Sequence, residues 1–230
     1  MADARILTGT SSVTLGNSDQ TPVDVRGTRD GAMFTAPWLT ALALEGRCFG
    51  FNTGTGTAPD VLGSGYTNTK PDAHLAIPSG TTVIPVYIEV CWEDTDTDPA
   101  VMDCFAMLTT VVDTSLTATG VTIKNMRTDA PIKSLCTASA VVTTGTTPYT
   151  GNRLEFWRGT AGMVPDSYNS STAQTSELNS RTTWSISKAL VPPVFVGPSS
   201  LMVWASKTRD TSITGWITII WAEVPSTSIV

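Results

Sequence analysis

At 230 residues the chain is long enough to bury a core without metals or disulfides. Only 15% of it is charged, against about 25% in a typical globular protein, and 41% is hydrophobic, which excludes intrinsic disorder. The net charge is −6 and the basic residues come singly or in loose pairs such as Lys207 with Arg209, so direct nucleic-acid binding is not expected.

A large chain with so few charges either hides surface against copies of itself or wets it with Thr, Ser and Asn, and composition leaves both open. The opening residues lack the apolar segment of a signal peptide. The longest apolar runs are about ten residues, too short to span a bilayer. A soluble product of a cytosol, without a membrane partner, is the expectation. Cys48, Cys91, Cys104 and Cys136 are far apart and share one histidine, which makes zinc improbable and reduced, buried thiols the expectation.

In chain order, residues 1–33 are rich in Gly, Thr, Ser and Asp, with Ile6, Val13, Leu15, Val23 and Val25 too sparse for a core. They read as an extended arm that lies on something else. Residues 38–45 read as a short helix, with Pro37 at its first turn and Gly46 just past its end. The pattern then switches to period two. Ile84, Val86, Ile88, Val90 and Trp92 alternate with Pro85, Tyr87, Glu89 and Cys91, a strand with one buried face. Pro85 cannot donate to a ladder, so the strand should be an edge or carry a bulge there.

An acidic loop follows, and 101–112 reads as the returning strand of a hairpin, with Met102, Cys104, Ala106 and Leu108 on one face. That hairpin could bring Cys91 and Cys104 together as a disulfide. Further strands are expected at 47–52, 73–77, 121–124, 134–143, 154–158, 182–190, 201–206 and 213–224, separated by loops rich in Gly, Thr, Asn and Pro. No amphipathic helices interleave them, so a parallel α/β sheet is excluded, and no repeat of 20–50 residues points to a propeller or solenoid. Residues 34–230 read as one all-β domain, a sandwich or jelly roll.

Chemistry is hard to place. His74 is the only histidine, and its strand-entry setting points to a hydrogen-bonded, partly buried ring rather than a catalytic one. Gly54-Thr55-Gly56 is not followed by a helix and reads as loop composition. Asp94, Asp96 and Asp98 resemble the first half of a calcium loop. Pro99 and Phe105 stand where an EF-hand needs Gly and Glu, so only an irregular calcium site, or a charged tip that deters aggregation, is left. Glu89, Glu155 and Glu223 all fall on strands, where a glycosidase pair would have to be found. Most of the seven Trp sit in apolar alternation and read as core or subunit-interface residues. No catalytic residue, cofactor or firm metal site emerges.

The segment from Val191-Pro192-Pro193 through Phe195, the Gly197-Pro198-Ser199 turn and Leu201–Ala205, then Gly215–Val224 ending Trp221-Ala222-Glu223-Val224-Pro225, resembles the C-terminal hairpin of jelly-roll structural proteins of tailed phages and marine viruses. Arg26-Gly27-Thr28-Arg29-Asp30-Gly31-Ala32, the short helix and Glu45-Gly46-Arg47-Cys48-Phe49 are similar to the start of those proteins, and Pro78-Ser79-Gly80-Thr81 before a long strand also recurs in viral jelly rolls. The resemblance covers about half the chain. It implies a non-enzymatic virion protein without a cofactor, most simply a capsid decoration or cement protein. Its partners would be copies of itself, as a homotrimer, and other capsid proteins. The alternatives are the main coat protein of a small icosahedral virus and a tail receptor-binding or carbohydrate-binding module.

Overall fold

The computed structural model describes residues 5–7, 22–24, 37–62, 67, 69–94, 100–110, 112, 117–144, 153–163, 181–205 and 213–228. Near the start, β1 (Arg5–Leu7) and β2 (Pro22–Asp24) pair with each other, Arg5 opposite Asp24, and among the described residues join neither of the large sheets. Helix α1 (Trp38–Leu44) follows. Gly46 closes it with φ +76°, a left-handed turn that glycine adopts without strain.

The remaining strands are β3 (Cys48–Asn52), β4 (Asp60–Leu62), β5 (Ala73–Ile77), β6 (Thr81–Asp94), β7 (Ala100–Thr109), β8 (Thr117–Val121), β9 (Lys124–Asn125) and β10 (Thr137–Thr144). They continue with β11 (Arg153–Met163), β12 (Arg181–Ser185), β13 (Phe195–Val196), β14 (Ser199–Trp204) and β15 (Ile213–Pro225). Two antiparallel sheets pack together as a β-sandwich. One runs β12-β6-β15-β3-β9, with β13 added to β6 and β4 to β15; the other runs β11-β7-β14-β5-β10-β8.

The alternation in the sequence supplies the core. Phe49, Phe51, Ile88, Val90, Trp92, Ile217, Ile219 and Trp221 point inward from one sheet, and Leu75, Ile77, Cys104, Ala106, Leu201 and Val203 from the other. Each fully buried side chain of this kind contributes about 1.5–3 kcal/mol. Trp221 lies 6.2 Å from Phe49 and 6.1 Å from Phe51, centroid to centroid. Trp92 sits 1% exposed, and its Nε1 donates to the Ala205 carbonyl at 2.6 Å, tying one sheet to the other.

The structure corrects several expectations. β6 and β7 are not a hairpin, because β6 spends its edges on β15 and on β12 with β13. Cys91 and Cys104 therefore lie in different sheets, and none of the four cysteines is in a disulfide. β14 and β15 are not a hairpin either: the chain crosses to the other sheet after β13 and back again before β15.

Pro85 is not on an edge strand. The alternative, a bulge, is what occurs: Ile220 faces Tyr87 but Trp221 faces Pro85. The extra residue flips the phase of the strand, so Val83 enters the core while Val86 packs outward with Leu42, Cys48 and Ala222 under α1. The strand expected at 121–124 is replaced by β8 and β9, with residues 122 and 123 between them. The strand expected at 182–190 stops at Ser185 and passes into a 3-10 turn, Ile186–Lys188. Pro192 and Pro193 beyond it have no N–H to continue a ladder.

Candidate binding groove

The outward face of the β6–β15–β3 sheet carries a groove of about 1000 Å3. Pairing sets its floor row by row. Cys91 and Trp216 stand side by side on it; then Glu89, Thr218 and Asn52; then Ile220 and Gly50, while Arg181, Thr183, Ser185 and Tyr87 continue these rows beyond the groove lining. The inward residues between them are core, so the same strands make the sandwich and the groove floor.

One wall is the tight turn after β3. Thr53 accepts from the Ile217 amide through Oγ1 at 2.9 Å and donates its own amide to the Ile217 carbonyl at 2.9 Å. Thr55 and Ala58 bond through their backbones, and Asp60 Oδ2 accepts the Gly54 amide at 2.7 Å. This turn grips Trp216. Its Nε1 donates to the Thr55 carbonyl at 2.9 Å, and a Cβ on Gly54 would stand 3.2 Å from its Cδ1. The other wall is the chain from Thr119 to Lys124, which crosses from the β8 edge of one sheet to the β9 edge of the other.

The carboxylates that line the groove have partners: Asp60 in the Gly54 amide, and Glu89 in two residues beside the groove. The Tyr87 hydroxyl donates to Glu89 Oε2, and Arg181 Nη1 lies 3.9 Å from the same oxygen. Burial, then the bond to Glu89, raises the Tyr87 phenol above its usual range, so it stays a donor at neutral pH. Asn52 Nδ2 donates to Thr218 Oγ1 at 2.6 Å.

The other candidates fall elsewhere. His74 is 2% exposed, and its Nε2 sits 3.2 Å from Ser200 Oγ, itself fully buried. A Ser–His pair at this distance has the spacing of a nucleophile and its base, but both are sealed from solvent. Glu89 lies on the outer face of one sheet, Glu223 on the inner side of that sheet, and Glu155 on the other sheet, bonded to Arg158 at 2.7 Å. No two of these share a face, so the strands do not assemble the carboxylate pair of a glycosidase. Asp94 ends β6; Asp96 and Asp98 lie outside the described residues, as does most of the loop that was a candidate for calcium. Among the described residues no three His, Cys, Asp or Glu come together as metal ligands.

Sequence reasoning missed the groove. Gly54-Thr55-Gly56 reads as loop composition, and its role as a wall depends on Trp216, 161 residues further on. The alternation sets Glu89 on the polar face of its strand, whereas the tryptophans read mostly as core or subunit-interface residues, so the sequence offered no signal for Trp216. Among the described residues no helix is long and apolar enough to cross a membrane. Comparison with protein-family models, with curated proteins and with solved structures gives no match.

Proposed function

We propose that this chain is a jelly-roll structural protein of a virion, acting as a capsid decoration or cement protein. The observation that carries the reading is the nesting of strand pairs. Leaving out the β1–β2 ribbon, β4, the short β13 and the excursion β8–β10, eight strands remain, and the first pairs with the last: β3 with β15, β5 with β14, β6 with β12, β7 with β11. Two more pairings, β6 with β15 and β7 with β14, roll this nested ribbon into two sheets. Nested antiparallel pairing rolled into two facing sheets is the jelly-roll plan, which serves viral capsids, lectins and cupins. A single histidine argues against the cupin use, whose metal is held by several.

The β1–β2 ribbon supports the reading of residues 1–33 as an arm, since among the described residues it joins neither sheet and a lone two-stranded ribbon is marginal in water. Exposed apolar side chains support burial against other subunits: Trp38, Leu44, Met126 and Leu135 around α1 and the 126–135 segment, and Leu190, Val191 and Val196 before and along β13. Many weak copies of one contact give high avidity on a shell. The tail or carbohydrate-binding alternative is favoured by one observation, the groove beside Trp216.

The test is assembly. Full-length chain mixed with shells lacking it should bind at hundreds of copies per particle, and light scattering of the free chain should give a homotrimer. A chain without residues 1–33 should fold and stay soluble but no longer join shells. Normal joining by the truncated chain refutes the arm; no joining by the full chain, or a dozen copies only, refutes the decoration role.

A further inference from the structure

We propose that the groove over β3, β15 and β6 is a binding site for a neutral oligosaccharide, a reading that does not depend on where the protein is assembled. Its volume of about 1000 Å3 is at the upper end of the roughly 300–1,000 Å3 of small-molecule sites. It is an open trough rather than a closed cavity, which suits a chain-like ligand entering from the side.

The aromatic on its floor is prepared for stacking. The Trp216 N–H is already taken by the Thr55 carbonyl at 2.9 Å, and the same edge of the ring is held against Gly54. What the indole has left to offer is its π surface, held in place before any ligand arrives. Ile220 extends that apolar strip along the same strand face. The C–H faces of a pyranose are the complementary surface.

The polar groups choose among ligands. Asn52, Thr218 and Glu89 stand in one row across the floor. Hydroxyl and amide groups both donate and accept, as sugar hydroxyls do. A purely apolar ligand would strip water from this row without replacing it. A phosphorylated or sulfated ligand would need several cations, and Lys124 is the one cationic side chain among the described residues that line the groove. The charged residues that line the groove are the carboxylates Asp60 and Glu89 and the cation Lys124, a balance that disfavours an anionic sugar.

The experiment uses the full chain and named probes. Cellopentaose, maltopentaose, mannopentaose and chitopentaose are titrated by calorimetry, with sialyllactose and a heparin hexasaccharide as charged comparators. At least one neutral probe should bind, and neither charged probe should bind more tightly. Trp216→Ala should weaken binding about tenfold, the effect of losing one aromatic stack, while Trp216→Phe keeps most of it. Should Trp216→Ala fail to fold, the indole N–H resonance of Trp216, assigned through Trp216→Phe, gives the same answer, because it should shift on titration of the wild-type chain. No binding of any neutral probe, tighter binding of a charged one, an unmoved Trp216 resonance, or unchanged affinity in folded Trp216→Ala overturns the proposal.

Discussion

The Ser134 hydroxyl donates to Glu223 Oε2 at 2.6 Å, and the Leu135 amide donates to Oε1 of the same carboxylate at 2.9 Å. Glu223 is 7% exposed, so a charge near the end of the last strand is held by two good donors from a segment 88 and 89 residues earlier. Ser134 Oγ in turn accepts the Cys136 amide at 3.1 Å, which sets the entry to β10. Glu223→Ala leaves two donors unanswered, and bonds to a charged group contribute about 1.5–3 kcal/mol each. The expected loss in urea unfolding is about 2–4 kcal/mol with an unchanged m-value. Glu223→Gln keeps one acceptor and should lose less than half as much; equal losses for the two would remove the carboxylate's special role.

The thiols give a second prediction, in two parts. Burial pushes Cys104 up to about 12 and raises Cys48 and Cys136, the last helped by the nearby Glu223. Cys91 is half-buried in the groove. At pH 8 a disulfide reagent should therefore modify Cys91 first, and the other three should react at the unfolding rate. A raised pKa in the fold means that the folded chain holds its proton longer than the unfolded one. The stabilisation is complete below the ordinary value of about 9 and fades as pH rises toward 12. Within that window the Cys104 thiol costs about 1.4 kcal/mol per pH unit. Cys104→Ala should flatten the fall of the melting temperature between pH 9 and 12; an unchanged slope would show that Cys104 ionises as easily folded as unfolded.

Close strand approach gives a third. A Cβ on Gly215 would press into the Cys91 carbonyl oxygen, where β15 and β6 pair beside a register slip. Backbone cannot swing aside as a flexible side chain can. Gly215→Ala should cost about 1–3 kcal/mol, the usual penalty of overpacking. Gly120 is the matched control, since no atom of the described residues lies within 4 Å of its Cβ position. Gly120→Ala should be neutral in the same thermal melt, and a neutral Gly215→Ala would mean that the two strands can part at no cost.

What the sequence made legible was local. Pro37 and Gly46 bracketed α1, and β5 was expected at its observed bounds, Ala73–Ile77. Alternation named the inward faces of Ile88, Val90 and Trp92. It could not name neighbours, because a period of two says which face is buried and nothing about which strand lies alongside. That is why β6 and β7 read as a hairpin although they lie in opposite sheets. The phase flip at Pro85 was half-visible: a bulge was one of two readings, but its consequence, Val86 turned outward beneath α1, required knowing that a helix would cover it. The groove was hidden for the same reason, since Thr55 and Trp216 meet only once β3 and β15 have paired.

The two deepest tryptophans separate packing from hydrogen bonding. Trp92 and Trp221 are 1% and 0% exposed, and both lie in one core cluster. Changing either to Phe removes a similar volume, so the cavity cost should be similar. Their N–H groups differ. Trp92 Nε1 donates to Ala205 at 2.6 Å across the two sheets, whereas Trp221 Nε1 reaches Glu223 at 3.4 Å, beyond the usual 2.7–3.2 Å of a good bond. Trp92→Phe should therefore cost more than Trp221→Phe, by about 1 kcal/mol for the extra bond lost. Trp92→Phe should also speed hydrogen exchange at the Ala205 end of β14, because that bond is what pins this end to the facing sheet. Equal unfolding free energies for the two variants would mean that apolar packing alone holds the sheets together at this point.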